Sequence, residues 1–252
     1  VSVLLGNGDG TFQASQSFAT GTGPRSVGLR DVNGDGNLDL ATANSGSNNA
    51  SVLLGNGDGT FQAAQNFATG TGPCSVVLAD VNGDGRPDLA TANQFSNNVT
   101  VLLGNGDGTF QAALNVGVGM GPTGVESGDV NQDGRLDLAT ANSGSNDASV
   151  LLGNGDGTFQ AAQNFATDSA PASTTLGEVN GDGRLDLLAA TGNNLSVLLG
   201  NGDGTFQAAQ DFASGLPPAP APVRLADLNG DGCPDLAAAV PMSNAVAVWV
   251  HL

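Results

Sequence analysis

The chain has 252 residues, 24 of them acidic and 6 basic, for a formal charge of −18. A nucleic acid needs clustered Lys and Arg to neutralise its phosphates; there is no Lys and no such cluster, so nucleic-acid binding is excluded. No apolar run approaches the roughly 18 residues of a membrane span, which excludes insertion as a helix, and recurrent hydrophobic runs among the 39 glycines exclude a disordered chain.

The N-terminal run Ser2-Val3-Leu4-Leu5-Gly6-Asn7-Gly8-Asp9-Gly10-Thr11-Phe12 returns from Ser51, Ser149 and Ser196, and from Thr100 with Thr for Ser. Its phenylalanines, Phe12, Phe61, Phe110, Phe159 and Phe206, are spaced by 49, 49, 49 and 47 residues. Two residues are missing around 192–194 and two are regained near 216–222. Such self-similarity predicts one repeat domain over 1–252, with units of about 1–49, 50–98, 99–147, 148–194 and 195–244 and an extra strand at 245–252.

Each unit reads as four short strands. In the first full copy, strand A covers 26–29, an acidic loop follows, and strand B covers 38–43. A polar turn leads to strand C at 51–54. The Asn56-Gly57-Asp58-Gly59 turn, a tight-hairpin signal, leads to strand D at 61–68. A Gly-Thr-Gly-Pro linker at 70–73 opens the next unit. Strand C carries consecutive apolar residues, Val52-Leu53-Leu54, as expected for a sheet covered on both faces. Four-stranded antiparallel sheets of about 49 residues, stacked face to face, describe an all-β, five-bladed β-propeller. A parallel β-solenoid is the rival, but its rungs are usually shorter.

The strand count is uneven. There are five A, B and D strands but six C-like ones, the first at 1–5 and the last at 245–250. The last A and B strands, 223–226 and 236–240, have no following D strand. The N-terminal segment 12–19 is expected to supply it, so that the last blade is shared between the two termini. The redundant C strand then frays, packs outside, or pairs with another chain in a strand-exchange oligomer.

The acidic loop is Asp31-Val32-Asn33-Gly34-Asp35-Gly36-Asn37-Leu38-Asp39, and it recurs at a period of 49. Ca²⁺ takes six to eight oxygens. Positions 1, 3, 5 and 9 supply side-chain oxygens and position 7 a backbone carbonyl. The candidate ligands are Asp31, Asn33, Asp35, Asn37 and Asp39; Asp80, Asn82, Asp84, Arg86 and Asp88; Asp129, Asn131, Asp133, Arg135 and Asp137; Glu178, Asn180, Asp182, Arg184 and Asp186; and Asp227, Asn229, Asp231, Cys233 and Asp235. The variation at position 7 fits a residue used through its backbone. An EF-hand is excluded, because position 12 holds Thr42, Thr91, Thr140, Ala189 and Ala238 instead of Glu. Glu178 at position 1 and Gln132 at position 4 depart from the pattern. Five Ca²⁺, each adding two positive charges, would bring the formal charge to about −8.

Asp-Val-Asn-Gly-Asp-Gly-x-Leu-Asp-Leu, with the later Leu-Leu-Gly-Asn-Gly-Asp-Gly-Thr-Phe, resembles the FG-GAP/VCBS repeat of bacterial extracellular proteins. It is also similar to the calcium-binding blades of integrin α-subunit propellers. The resemblance covers essentially the whole chain. It implies propeller blades with Ca²⁺ in the loop between strands A and B, and an extracellular or cell-surface setting.

Other features carry less. The turns at Asp9, Asp58, Asp107, Asp156 and Asp203 read as hairpin turns before metal ligands, and the repeat phenylalanines as packing residues before a sugar platform. The sequons beginning at Asn49, Asn98 and Asn194 read as by-products of the repeat. Cys74 and Cys233 occupy non-equivalent positions, and no disulfide is expected between them. His251 is the sole histidine, which leaves a Ser–His–Asp site without a well-placed base. The chain does not begin with Met and reads as a mature or excised fragment. The expected function is that of a non-enzymatic, calcium-binding scaffold or adhesion module with a protein or glycan partner. Alternatives are a lectin-like propeller, or part of a larger polysaccharide-acting protein.

Overall fold

The computed structural model describes residues 1–191, 194–213, 223–230, 234–240 and 245–249. Among them there is no helix. The chain opens with β1 (Ser2–Val3) and β2 (Gln16–Ser17), a two-stranded sheet. The first four-stranded sheet is β3 (Pro24–Arg30), β4 (Asp39–Asn44), β5 (Asn49–Leu53) and β6 (Gln65–Ala68). The second is β7 (Pro73–Ala79), β8 (Asp88–Asn93), β9 (Asn98–Leu102) and β10 (Leu114–Gly117). The third is β11 (Pro122–Gly128), β12 (Asp137–Asn142), β13 (Asp147–Leu151) and β14 (Gln163–Ala166). The fourth is β15 (Ser173–Gly177), β16 (Asp186–Ala190), β17 (Asn194–Leu198) and β18 (Gln210–Ala213). The last is β19 (Val223–Ala226), β20 (Asp235–Val240) and β21 (Ala245–Trp249). Every sheet is an antiparallel meander whose strand order follows the chain.

The sheets stack as propeller blades. Strand β3 lies against β7, β7 against β11, β11 against β15 and β15 against β19, so the first strand of each blade is innermost. Strands β4, β8 and β12 are buried from end to end, and β5, β9 and β13 nearly so. This is the double coverage that Val52-Leu53-Leu54 implies. Val52 and Leu54 of one blade share a core with Val76, Leu78, Leu89 and Leu102 of the next. Each such Leu or Val is worth about 1.5–3 kcal/mol on burial. The repeat phenylalanines join neighbouring blades edge-to-face: Phe67 on Phe110 at 5.0 Å and Phe165 on Phe206 at 5.3 Å between centroids.

The first three full blades each hold a polar chain across the sheet. Thr42 Oγ1 donates to Asn44 Oδ1, Asn44 Nδ2 donates to Ser51 Oγ, and Ser51 Oγ donates to Asn66 Oδ1. Asn49, the first residue of a sequon, accepts from Asn44 and Ser47. Its repeat-related role is structural. Among the described residues no buried side-chain nitrogen or oxygen lacks a partner.

Among the described residues the shared blade is not formed. Strand β2 pairs with β1, with Ser17 opposite Ser2 and Gln16 opposite Val3, and β21 pairs with β20. The physical reason is local. The turn after Gly6 holds itself closed through Asp9 Oδ1, which accepts from the Thr11 amide at 2.9 Å and from its hydroxyl. A Gly6–Phe12 bridge continues the pairing. A short closed loop costs far less chain entropy than bringing the two termini together. Phe18 then packs on Phe61 at 5.1 Å, fixing the small sheet against the first full blade.

Candidate metal-loop site

The acidic loops connect the first and second strands of each blade, at one end of the stack. Asp31 organises its loop as a hub. Its Oδ1 accepts from the amides of Asn33 (3.2 Å) and Gly34 (2.7 Å), and its Oδ2 from Gly36 (2.8 Å). Asp35 Oδ1 accepts from the Asn37 amide at 2.8 Å, and Asn33 Nδ2 donates to Asp35 Oδ2 at 3.0 Å. Gly34 and Gly36 have φ of 75° and 83°, the left-handed conformation that glycine adopts without a Cβ penalty. Gln132, at the position of Gly34, takes φ 59° and donates from Nε2 to the Gly183 carbonyl of the next loop at 2.9 Å. That departure is a contact between loops.

Position 9 differs from the rest. Asp39, Asp88, Asp137, Asp186 and Asp235 are all buried. Asp39 Oδ2 accepts from the Val32 amide (2.8 Å), and Oδ1 from the Gly55 amide (2.7 Å) at the end of the third strand. Asp88 does the same with Val81 and Gly104, Asp137 with Val130 and Gly153, and Asp186 with Val179 and Gly200. Asp235 accepts from the Leu228 amide at 2.8 Å. This carboxylate ties the loop to the opposite hairpin. The glycine after each Leu-Leu is the partner that sequence reasoning missed; its one signal is that it recurs unchanged at that place.

The charges crowd one another. Burial pushes the Asp39 carboxyl up, the Gly55 and Val32 amides oppose this, and the carboxylates of Asp35 and Asp31 push it further up. The same ordering holds at Asp88, Asp137 and Asp186. Cationic relief is slight. Arg86 stands 4.0 Å from Asp84 and Arg135 3.8 Å from Asp133, both as exposed ion pairs. Such pairs are worth about 0–1 kcal/mol. At Arg86 and Arg135 the position-7 side chain therefore does take part, beside any role of its carbonyl. Glu178 accepts from Asn180 (2.8 Å) and Gly181 (2.5 Å). It lacks the position-6 amide bond that Asp31, Asp80 and Asp129 make. In the last loop Asp227 accepts from the Gly230 amide; Asp231 and Cys233, like His251, lie outside the described residues. Among the described residues no three His, Cys, Asp or Glu side chains converge into a preformed metal cage.

The second turns are hairpins closed by their own Asp. Asp58 Oδ1 accepts from the Thr60 amide and hydroxyl at 2.9 and 2.6 Å. At the axis the innermost strands line a cavity of about 320 Å³ containing Arg25, Cys74, Glu126 and Arg224. Arg224 reaches Glu126, two blades away, at 3.3 Å. Burial pushes the Cys74 thiol up to about 11, so it is a poor nucleophile. Arg25 and Cys74 stand one repeat period apart and Glu126 and Arg224 two, so the period places each pair at equivalent positions of the innermost strands.

Stacked four-stranded meanders with one acidic loop per blade define a propeller-like repeat protein. The chain belongs to the FG-GAP-like repeat family, whose model matches residues 1–42, 31–91, 82–140, 129–189 and 178–238. No curated protein matches the chain. Among solved structures, it is similar to an Agrocybe aegerita lectin that recognises non-reducing terminal N-acetylglucosamine. That match has 24% identity and a TM-score of 0.65, covering 94% of this chain and 68% of the lectin. A functionally unknown protein from Desulfotomaculum acetoxidans DSM 771 matches at 14% identity and a TM-score of 0.72, over 95% of this chain and 72% of that one. The Vibrio cholerae biofilm matrix protein Bap1 matches at 19% identity and a TM-score of 0.54, over 91% and 38%. At these identities the likeness is one of fold. Among the described residues no helix is long and apolar enough to cross a membrane.

Proposed function

We propose that the protein is a non-enzymatic, calcium-binding repeat scaffold of the extracellular space or cell surface, with each loop taking one Ca²⁺. The observation that carries this reading is the placing of three carboxylates on one short loop, where burial first, and the two neighbouring carboxylates after it, push up the position-9 group at Asp39 and Asp88. A hard divalent cation relieves that repulsion, and an oxygen-only donor set suits Ca²⁺. In the first loop Asp31, Asn33, Asp35, Asp39 and the residue-37 carbonyl would hold it, and their repeat equivalents would do so elsewhere. Bound calcium supplies charge neutralisation and a tie between the first and second strands. At free Ca²⁺ about 100-fold above Kd, each independent site adds about 2.7 kcal/mol. Titration calorimetry is expected to show several Ca²⁺ per chain, and EDTA to lower the melting temperature. Absence of binding heat together with an unchanged melt in EDTA would overturn the reading.

Adhesion through a protein or glycan partner is the role this scaffold suits. The likeness to a lectin gives a glycan reading a separate test. Binding on a glycan array that survives EDTA would favour a sugar site distinct from the loops.

A further inference from the structure

Two departures from the loop pattern meet at one residue. In the first three loops the position-1 aspartate accepts from the position-6 amide: Asp31 from Gly36, Asp80 from Gly85 and Asp129 from Gly134. Glu178 is one methylene longer, and its bonds to the Asn180 and Gly181 amides both use Oε1. Gly183, at position 6 of that loop, is held instead from the preceding loop, where Gln132 Nε2 donates to its carbonyl at 2.9 Å. A Cβ built on Gly202 would meet Gln132 Oε1 at 3.4 Å and Arg184 Cδ at 3.2 Å. The carboxamide therefore rests between the fourth acidic loop and the second turn of the same blade. Gln132 adopts a φ of 59°, a left-handed conformation that is strained for a residue with a Cβ. Its equivalents Gly34, Gly83 and Gly181 donate to the position-1 carboxylate, whereas Asp129 accepts from the amides of Asp133 and Gly134. The third loop thus differs in its own hub and reaches out to the fourth.

We infer that Gln132 is a positioning residue for the fourth loop, standing in for the bond that Glu178 does not make, and that it couples the third and fourth loops. Its bond to the Gly183 carbonyl fixes the peptide plane between Gly183 and Arg184. That plane lies between Asp182 and the position-7 carbonyl, two of the groups that would hold a cation. A preorganised loop binds more tightly, because less ordering remains to be done on binding. The coupling rests on the reading of the loops as Ca²⁺ sites. Asn131 and Asp133 flank Gln132; when they hold a cation, the Gln132 backbone is fixed on both sides and its side chain is aimed at Gly183. By linkage, occupation of the fourth loop favours the third by the same factor. The first and second loops have Gly34 and Gly83 at this position, so neither can reach its neighbour in this way.

The test uses the full chain, isotope-labelled for NMR. Gln132→Gly and Gln132→Asn are compared with the parent. Glycine and asparagine both tolerate the left-handed backbone, so the fold is kept, and asparagine is one methylene short of Gly183. In EDTA both variants are expected to shift the Gly183 and Arg184 amide signals and to speed Arg184 amide exchange by about threefold or more, with the Gly36 and Gly85 signals unmoved. In a calcium titration the fourth-loop midpoint is expected to rise about fivefold and the first-loop midpoint to stay in place. In a Glu178→Asp background, where the position-6 bond is restored, the same substitutions should have a smaller effect. Gly183 and Arg184 signals that ignore both substitutions in EDTA would overturn the inference, whatever calcium does. A fourth-loop midpoint that matches the parent's would overturn the coupling. Absence of calcium shifts in every loop would sink the calcium reading and the coupling with it, while the EDTA comparison still decides the positioning role.

Discussion

Replacing Asp88 with Ala removes an acceptor that serves two buried amides, Val81 at 2.9 Å and Gly104 at 2.7 Å. Each orphaned buried donor costs about 1–3 kcal/mol, so the two together cost about 2–6 kcal/mol. Asp88→Asn keeps one acceptor oxygen and turns an NH₂ toward the other amide, so about half of that loss is expected. The neighbouring Asp84 is exposed and accepts from within its own loop, which makes Asp84→Ala the control. The assay is thermal and urea unfolding in EDTA, so that metal binding does not contribute. Each kcal/mol lowers the melting temperature of a chain this size by about 2–4 °C. Asp88→Ala is therefore expected to melt well below the parent, and Asp84→Ala close to it. If the two variants melt together, position 9 is not a structural tie, and the reasoning from its buried hydrogen bonds fails.

Two further outcomes follow from the same geometry. Glu178→Asp is expected to regain the bond to the Gly183 amide and add about 0.5–1.5 kcal/mol in EDTA; an unchanged urea midpoint would count against the hub role of position 1. The Asp58 carboxyl is held below its usual range, first by the Thr60 hydroxyl and then by the Thr60 amide. A depressed carboxyl contributes stability above its unfolded pKa and loses it as pH falls through the folded one. Thr60→Val is therefore expected to raise the Asp58 titration midpoint read by carbon NMR and to soften the acid loss of that turn; an unmoved midpoint would refute the assignment.

The acidic loop was legible because it is local. Spacing alone placed Asp31, Asn33 and Asp35 in one turn, since their partners lie within five residues. The role of Asp39 was not legible. Its second donor, Gly55, lies 16 residues on, across two strands. Glu126 and Arg224 lie 98 residues apart, two repeat periods, so the period places both on innermost strands, and the curvature of the blades is what brings their side chains within reach.

By itself the sequence determined the repeat period, the all-β meander and the position of every acidic loop, because hydrophobic runs and Gly/Asn/Asp turns act over a few residues. Strand counting also predicted a blade shared between the termini, and tertiary structure decided otherwise. The Asp9–Thr11 turn and the Phe18–Phe61 contact keep β2 beside β1. Whether the two ends of a repeat stack meet depends on the small rotation between blades summed over the whole array. That quantity is set by side-chain packing between sheets, and pairing rules within a sheet do not contain it.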